Sequence, residues 1–445
     1  MLRTLGLLSL VSLGAVAAYA CGGYGTTCRD PGVMQLDQEA AALRAKGPAG
    51  LLSALERYSS TSDNDEAERL KQLVDQVAGQ RDATASRLYW YTDLEQAKLA
   101  AAESGRPILS LRMLGKLTDE YSCANSRFFR TALYANAEIS DYLRDHFVLH
   151  WESVRPVPRV TVDFGDGRTL ERTLTGNSAH YVLDATGAPV DALPGLYGPQ
   201  AFLQWLERSH DLASRYVKIS SEMGRQRFLQ EYHTHRELVI AEQLRADLAE
   251  VAPELLNPPT YSLQSKASPA ELQRRHPTAL QAARVAVSKS LVETKLVAPF
   301  APAGEALAEQ DERFWQVIAA RHADEAKLDA QSVALMRGKV PREIADAAMR
   351  ATYSKRKVEN PLLKIVGDFE RSLAVDGVRN EYTLHRTIHN WFANGTATQE
   401  VGPLNERVYA ELFLTPSSDP WLGLTAGDAY AALDQGGLTE PPAAK

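Results

Sequence analysis

The stretch ILSLRMLGKLTDEYSCANSRFF, residues 108–129, carries the most informative pattern in this chain. The apolar run from Ile108 to Met113 has the length and composition of a buried strand, and a loop leads from it to Cys123. We expect a helix to begin near Cys123. The unpaired N–H groups and positive dipole end of a helix N-terminus stabilise a thiolate. The stretch therefore predicts a strand–loop–helix unit with a candidate thiol nucleophile at the helix start.

Strands and helices alternate on both sides of this unit, and the turn Gly165-Asp166-Gly167 between two β-rich runs is typical of a hairpin. The predicted elements are helix Leu94–Ser104, helix Ile139–Asp145, strand Phe147–Trp151, hairpin strands Arg159–Phe164 and Thr169–Leu174, strand Ala179–Leu183, and helix Pro199–Ser209. This mixture predicts an α/β domain over residues 86–210.

The order of these elements resembles the thioredoxin-like superfamily, especially its exported branch similar to the C-terminal domain of DsbD. The resemblance covers about residues 88–207. Its motifs are Tyr89-Trp90-Tyr91, Gly105-Arg106-Pro107, Cys123-Ala124-Asn125-Ser126, the step Tyr134–Ile139, the strand-turn Tyr181–Gly187, and Leu193-Pro194-Gly195. The resemblance implies a thioredoxin-like fold with an inserted β-hairpin, in which Cys123 is the attacking thiol.

Departures from the family pattern bear on the chemistry of this site. The motif is C-x-x-S, so Ser126 cannot resolve a mixed disulfide, although it could donate a hydrogen bond to a Cys123 thiolate. Ser178 stands at the position of the family's cis-proline. The expected activity is monothiol thiol–disulfide exchange, with Cys123, Ser126 and His180 as candidate catalytic residues. The alternatives are that Cys123 is an inert buried residue and that His180 is an ordinary strand histidine.

The first twenty residues, MLRTLGLLSLVSLGAVAAYA, have the charge, apolar stretch and small-x-small ending of a signal peptide. The alternative, a membrane anchor, is disfavoured because the run is short and rich in Gly and Ser. Cleavage would make Cys21 the first residue. Cys21 would then either carry a lipid, as the first cysteine of a lipoprotein does, or form a disulfide with Cys28. Both outcomes predict export to the periplasm or cell surface, with membrane contact only through a lipid on Cys21.

Helical periodicity dominates outside the α/β segment. We predict a flexible N-terminus followed by helices over 21–85, and a mainly α-helical domain over 211–445. The stretch 405–421 mixes aromatic, apolar and turn residues, which predicts an ordered strap packed on the helical domain. We recognise no known family in this half.

A second group of chemical side chains lies in the helical half. Glu381, His385 and His389 follow one another at a spacing of four, so they share one helix face, and two such histidines can bind a metal. The alternative is a packed interface of polar and aromatic residues. His233 and His235, two apart on opposite helix sides, form a weaker candidate.

Composition limits the function classes. The chain has 445 residues with 49 basic and 56 acidic side chains, a net charge of -7, so we expect no nucleic-acid partner. Three cysteines exclude a disulfide-built scaffold. We expect no cofactor, and protein thiols or another exported protein as the partner. Three functions stay open: a thiol–disulfide protein, a non-catalytic binding or scaffold protein on a degenerate thioredoxin fold, and a metal-dependent or hydrolytic enzyme using the helical-half histidines.

Overall fold

A computed structural model describes residues 31–251, 277–289, 296, 309–352, 360–425, 432–434 and 438–439. The predicted signal segment 1–20, Cys21 and Cys28 lie outside these residues. The strands are β1 Trp90–Tyr91, β2 Ile108–Leu114, β3 Val148–Arg155, β4 Arg159–Asp163, β5 Thr169–Thr173, β6 Ser178–Leu183 and β7 Pro189–Pro194.

Helices make up most of the remaining described residues. They are α1 Pro31–Arg44, α2 Pro48–Ser60, α3 Asn64–Ala78, α4 Ala83–Ser86, α5 Leu94–Ser104, α6 Ala124–Phe128, α7 Ala137–His146, α8 Pro199–Tyr216, α9 Glu222–Val251, α10 Ala279–Ala283, α11 Glu309–Ala319, α12 Ala330–Lys339, α13 Arg342–Thr352, α14 Pro361–Arg379, α15 Arg386–Ala393 and α16 Val401–Arg407. Three π-helical segments, Phe129–Leu133, Asn380–His385 and Val408–Leu412, extend α6, join α14 to α15 and extend α16.

Local polar residues set where several helices begin and end. The side chains of Asp63, Asp93 and Asn136 each accept a hydrogen bond from a backbone N–H in the first turn of α3, α5 and α7. Gly79 and Gly105 end α3 and α5 in the left-handed conformation, with φ of 68° and 70°. These boundaries are encoded within a few residues of chain.

A mixed five-stranded sheet forms the centre of the α/β part, in the order β1-β3-β2-β6-β7. β1 and β2 both run parallel to β3, whereas β6 runs antiparallel to β2 and to β7. β4 and β5 form the predicted hairpin as a separate two-stranded sheet. Strands β2, β6 and β7 are buried along their whole length, so helices cover both faces of this part of the sheet.

The structure differs from the sequence-based expectations at several elements. Helices were predicted over 21–85 without a count, and the described part of that range forms α1, α2, α3 and most of α4. Pro189–Pro194 forms an edge strand that the sequence did not predict, because prolines at both ends mask its β pattern. Helix α8 continues to Tyr216, past the expected domain end at residue 210.

One hydrophobic core runs through both the α/β part and the helical half. Buried side chains from the sheet, such as Leu111 and Val182, belong to the same cluster as Trp315, Leu373 and Leu404. Helices α1, α2 and α3 instead enclose a separate small core. The α/β and helical segments are therefore packed as one unit. In the described part of the chain, no helix has the length and hydropathy of a membrane span.

Candidate functional site

The Cys123 thiol lies between the start of α6 and the start of β6. Cys123 is the N-cap residue of α6, and its backbone N–H donates to the Leu114 carbonyl at 3.2 Å. The side chain is 0% exposed. Its Sγ lies 3.0 Å from Ser178 Oγ and 3.9 Å from the Asn177 carbonyl oxygen. The strand and helix predicted around this cysteine do form, but the thiol faces protein rather than solvent.

A glycine allows the chain entering β6 to pass against the thiol. A Cβ added to Gly176 would lie 2.2 Å from Cys123 Cβ and 3.1 Å from its Cα. The preceding Thr175 has a left-handed φ of 57°, which is uncommon for a non-glycine residue. No cis peptide bond occurs among the described residues, so Ser178 follows a trans bond. The close approach leaves no room for a substrate on this side of Cys123.

The C-terminal segment covers the same end of the sheet. Tyr409 donates its hydroxyl to the Asn177 carbonyl at 2.8 Å, next to the thiol. Burial, with Cys123 nearby, raises the pKa of Tyr409 well above its ordinary value, so the hydroxyl stays protonated and can donate. Arg155 donates to the Thr415 carbonyl at 2.6 Å. The stretch 405–421, predicted to pack on the helical domain, contacts β3 and the chain entering β6 here.

Ser126 and His180 have partners other than the thiol. Ser126 Oγ donates to the Cys123 carbonyl at 2.9 Å and lies 2.7 Å from Ser122 Oγ. The hydroxyl within hydrogen-bond distance of Sγ belongs to Ser178 instead. His180 Nε2 lies 2.6 Å from the Tyr134 hydroxyl, and burial lowers the pKa of His180 to about 3. His180 is therefore a neutral histidine in an aromatic core at neutral pH.

The second predicted group is Glu381, His385 and His389. It lies at the π-helical junction between α14 and α15. Asp191 and His233 join it in the folded chain. Single π-helical turns are rare in proteins overall, but those that occur are often found at functional sites. Asp191 comes from β7 and His233 from α9. The five side chains, here called the Asp–His cluster, combine both halves of the chain. Asp191, His233, His385 and His389 are each no more than 1% exposed.

The hydrogen bonds determine where the protons of the cluster lie. His233 Nε2 lies 3.0 Å from the Val190 carbonyl, which can only accept, so this nitrogen carries the proton. Burial lowers the pKa of His233 to about 4, so the ring is neutral and its Nδ1 is an acceptor. His389 Nδ1, at 2.7 Å, donates to it. The Nε2 of His389 has no hydrogen-bond partner among the described residues.

Carboxylates hold the third histidine in its charged form. Burial lowers the pKa of His385, but Glu381 and Asp191 outweigh this effect and raise it to about 9. His385 Nδ1 donates to Glu381 at 2.7 Å, while its Nε2 lies 3.8 Å from Asp191 Oδ1, too far for a hydrogen bond. The neighbouring histidines hold the pKa of Asp191 below its ordinary value against the opposing effect of burial.

Asp191 is also fixed by neutral donors. Its Oδ2 accepts from Trp205 Nε1 and from Ser209 Oγ, both at 3.0 Å, and its Oδ1 accepts from the Ala192 N–H at 2.8 Å. Sequence reasoning missed Asp191 because it lies in an edge strand that was not predicted. It also ranked His233 low. His233 is buried on α9 whereas His235 is exposed, a difference that only the structure reveals.

A polar cavity lies next to the Asp–His cluster. It has a volume of about 130 Å³, and Trp205, Arg236, His322 and Glu381 are among the residues that line it. His322 bridges Glu325 and Asp247 at 2.9 and 3.0 Å. The hydrogen bonds to Glu325 and Asp247 raise the pKa of His322 to about 9 despite its burial. Glu381 belongs both to the cavity wall and to the cluster, so the other charged groups of the wall lie next to the cluster.

Comparisons of this chain with models of protein families, with curated proteins and with solved structures found no significant match. The candidate sites are therefore interpreted from their geometry alone.

Proposed function

We propose that this chain is an exported, non-catalytic binding or scaffold protein built on a degenerate thioredoxin-like domain, with Cys123 as a closed structural thiol. The strand order β1-β3-β2-β6-β7 and the cysteine at the start of the helix after β2 support the thioredoxin-like interpretation. The single observation that carries the non-catalytic role is the complete burial of Cys123.

Thiol–disulfide exchange requires a thiolate to reach a substrate sulfur, and release of the product requires a second thiol. Here Gly176 and Ser178 contact one side of Cys123. Tyr409 donates a hydrogen bond to the neighbouring Asn177 carbonyl. Ser126 occupies the position of a resolving cysteine. The buried thiol does not meet the first requirement and Ser126 cannot meet the second, which favours a structural role for the thiol.

A binding role requires an accessible surface, and one groove is a candidate for it. A cavity of about 640 Å³ has Arg127 and Phe128, from the helix that follows Cys123, and Lys339 and Phe369, from the helical half, among its lining residues. Apolar rings beside cationic side chains are common in protein interfaces. We propose another exported protein as the partner, in the periplasm or at the cell surface.

Monothiol exchange remains the second candidate, favoured by the short contact between Cys123 Sγ and Ser178 Oγ at 3.0 Å. A hydroxyl in this position can donate to a thiolate, and the α6 N-terminus adds backbone N–H groups. For this function the C-terminal segment that carries Tyr409 would have to move away from the sheet.

Alkylation of Cys123 tests the choice between these functions. In a Cys21→Ser/Cys28→Ser background, iodoacetamide should label the native protein roughly a hundredfold more slowly than the urea-unfolded protein, since labelling requires opening. Tyr409→Ala should accelerate labelling, whereas Tyr409→Phe, which removes only the hydroxyl, should have a smaller effect. Rapid labelling of the native protein, with a mixed disulfide formed from oxidised glutathione, would instead establish monothiol exchange.

A further inference from the structure

We propose that Asp191, His233 and His389 form a binding site for a divalent transition-metal ion in the interior of the protein. One potential ligand atom from each residue lies within 4.8 Å of the other two. The three residues come from β7, α9 and α15, so the site exists only where the edge of the sheet meets the helical half. The site uses His389 from the group that the sequence indicated and His233 from the weaker candidate pair, together with Asp191, which the sequence did not indicate.

The spacing of the ligand atoms suits a metal after a small adjustment. His233 Nδ1 and His389 Nδ1 are 2.7 Å apart, joined by one hydrogen bond. Ligand atoms at about 2.0–2.1 Å from a tetrahedral ion lie somewhat farther apart than this. A small rotation of the two rings would therefore open the space for an ion. Each neutral ring has one N–H and one lone pair. His389 offers its Nε2 lone pair as it stands, or its Nδ1 once the proton has moved from Nδ1 to Nε2, so neither ring needs to lose a proton overall.

An unpartnered nitrogen points to a missing ligand. His389 Nε2 is fully buried and has no hydrogen-bond partner among the described residues. Buried polar groups are nearly always satisfied, and one without a partner calls for an explanation such as an ion. His385 Nε2 lies 3.8 Å from Asp191 Oδ1, so a shift of this ring, with release of its Nε2 proton to solvent, would add a fourth ligand.

The surroundings of the ligands are those of a pre-organised metal site. Metal-binding histidines usually donate their other N–H to a carbonyl or carboxylate, and metal-binding carboxylates are themselves hydrogen bonded. His233 donates to the Val190 carbonyl at 3.0 Å, and Asp191 accepts from Trp205 and Ser209. These bonds hold the ligands in place without occupying the atoms between them.

The donor set indicates the class of metal. Imidazole nitrogens with one carboxylate suit Zn²⁺, Fe²⁺, Co²⁺ or Ni²⁺, whereas Ca²⁺ and Mg²⁺ require mostly oxygen ligands. Asp191 supplies one negative charge directly to the ion, whereas the charge of Glu381 is paired with His385. The cavity of about 130 Å³ provides a route of entry, because Trp205 and Glu381 in its wall directly contact Asp191 and His385.

Metal titration of the full chain tests this proposal. In the Cys21→Ser/Cys28→Ser background, chelator-treated protein should bind one equivalent of Co²⁺ with visible d–d bands and no thiolate charge-transfer band. Zn²⁺ should displace Co²⁺ and raise the melting temperature, and Ca²⁺ should do neither. His233→Gln, His389→Gln and Asp191→Asn should each weaken binding roughly a hundredfold or more. Trp205→Phe, which removes one bond to Asp191, should weaken it roughly tenfold.

A matched control lies two residues from a proposed ligand. His235 is exposed on the same helix, so His235→Gln should bind Co²⁺ as the unaltered protein does. Asp191→Asn keeps the side-chain shape, so this variant reports on the ligand even if the histidine variants fold poorly. The absence of Zn²⁺ or Co²⁺ binding by the folded protein would overturn the proposal. So would binding that Asp191→Asn leaves unchanged, and the cluster would then be a buried hydrogen-bond network.

Discussion

Cys123 and Gly176 show how one missing side chain shapes the thiol site. The sequence singled out Cys123 correctly as a helix-start residue, because helix N-terminal position is a local property. No local pattern indicated the role of Gly176, which packs against the side chain of Cys123, 53 positions earlier in the sequence. Cys123 contacts Ser178 rather than Ser126 for the same reason: the start of β6 lies beside the thiol only in the assembled sheet.

Gly176→Ala should destabilise the protein by about 1–3 kcal/mol, because its new Cβ would overlap Cys123 Cβ at 2.2 Å. Urea denaturation measures the loss. Gly402→Ala is the control: no atom lies within 4 Å of its added Cβ, and alanine favours the helix. Cys123→Gly in the Gly176→Ala background should recover part of the loss. Equal stability of both alanine variants would contradict the described contact.

Strands β3 and β6 carry buried histidines that the sequence could not distinguish from catalytic ones. Both strands were predicted from their apolar composition, but a histidine within a strand has the same local pattern in a core as in a site. His150 lies 2.9 Å from Ser110 Oγ on the neighbouring strand β2, and His180 contacts Tyr134. Burial lowers the pKa of each to about 3.

These two histidines should make folding stability depend on pH. Unfolded histidine has a pKa of about 6.5, so the unfolded state binds more protons than the folded state below that pH. Stability should therefore fall as the pH drops from about 6.5 towards the folded pKa of about 3. His180→Gln should make this slope shallower, by up to about 1.4 kcal/mol per pH unit. Urea titrations between neutral and mildly acid pH measure it.

The control for this pH dependence is Gly402→Ala. This substitution changes no titratable group, so it should leave the slope as it is. A slope that His180→Gln does not change would mean that His180 takes up a proton in the native state, in conflict with its enclosure among Phe129, Phe202 and Tyr134.

Contacts between the α/β part and the helical half extend across the whole molecule. Tyr181 donates to Asn405 at 3.1 Å, Asn380 donates to the Leu196 carbonyl at 2.9 Å, and His233 reaches Val190. Each contact joins a group buried in the α/β part to the helical half. The proposed boundary near residue 210 therefore separates segments of the sequence rather than independent cores.

A fragment of residues 86–210 should fail to fold cooperatively, because removal of the helical half exposes the apolar face of β6 and β7. Circular dichroism during heating should show no sigmoidal transition, and co-expression with residues 211–445 should restore one. Residues 31–86, with their own small core, should be less affected by isolation, which makes them the control. A cooperative transition in the lone 86–210 fragment would show that the domains are separable.

The sequence by itself determined the elements whose signals are local: the hairpin at Gly165-Asp166-Gly167, helix Leu94–Ser104, and the strand–loop–helix unit at Cys123. It also placed Glu381, His385 and His389 on one helical segment, since spacing of four is a property of the helix. The edge strand β7 was missed because its prolines obscure the pattern.

Only the tertiary structure decided what surrounds these residues. His233 and His389 are 156 positions apart, and Tyr409 and Asn177 are 232 apart, yet each pair is hydrogen bonded. The closure of the thiol site and the assembly of the Asp–His cluster both depend on such distant contacts. Propensity and periodicity act over a few residues, whereas these contacts follow from burying one shared apolar core, which depends on the packing of the whole chain.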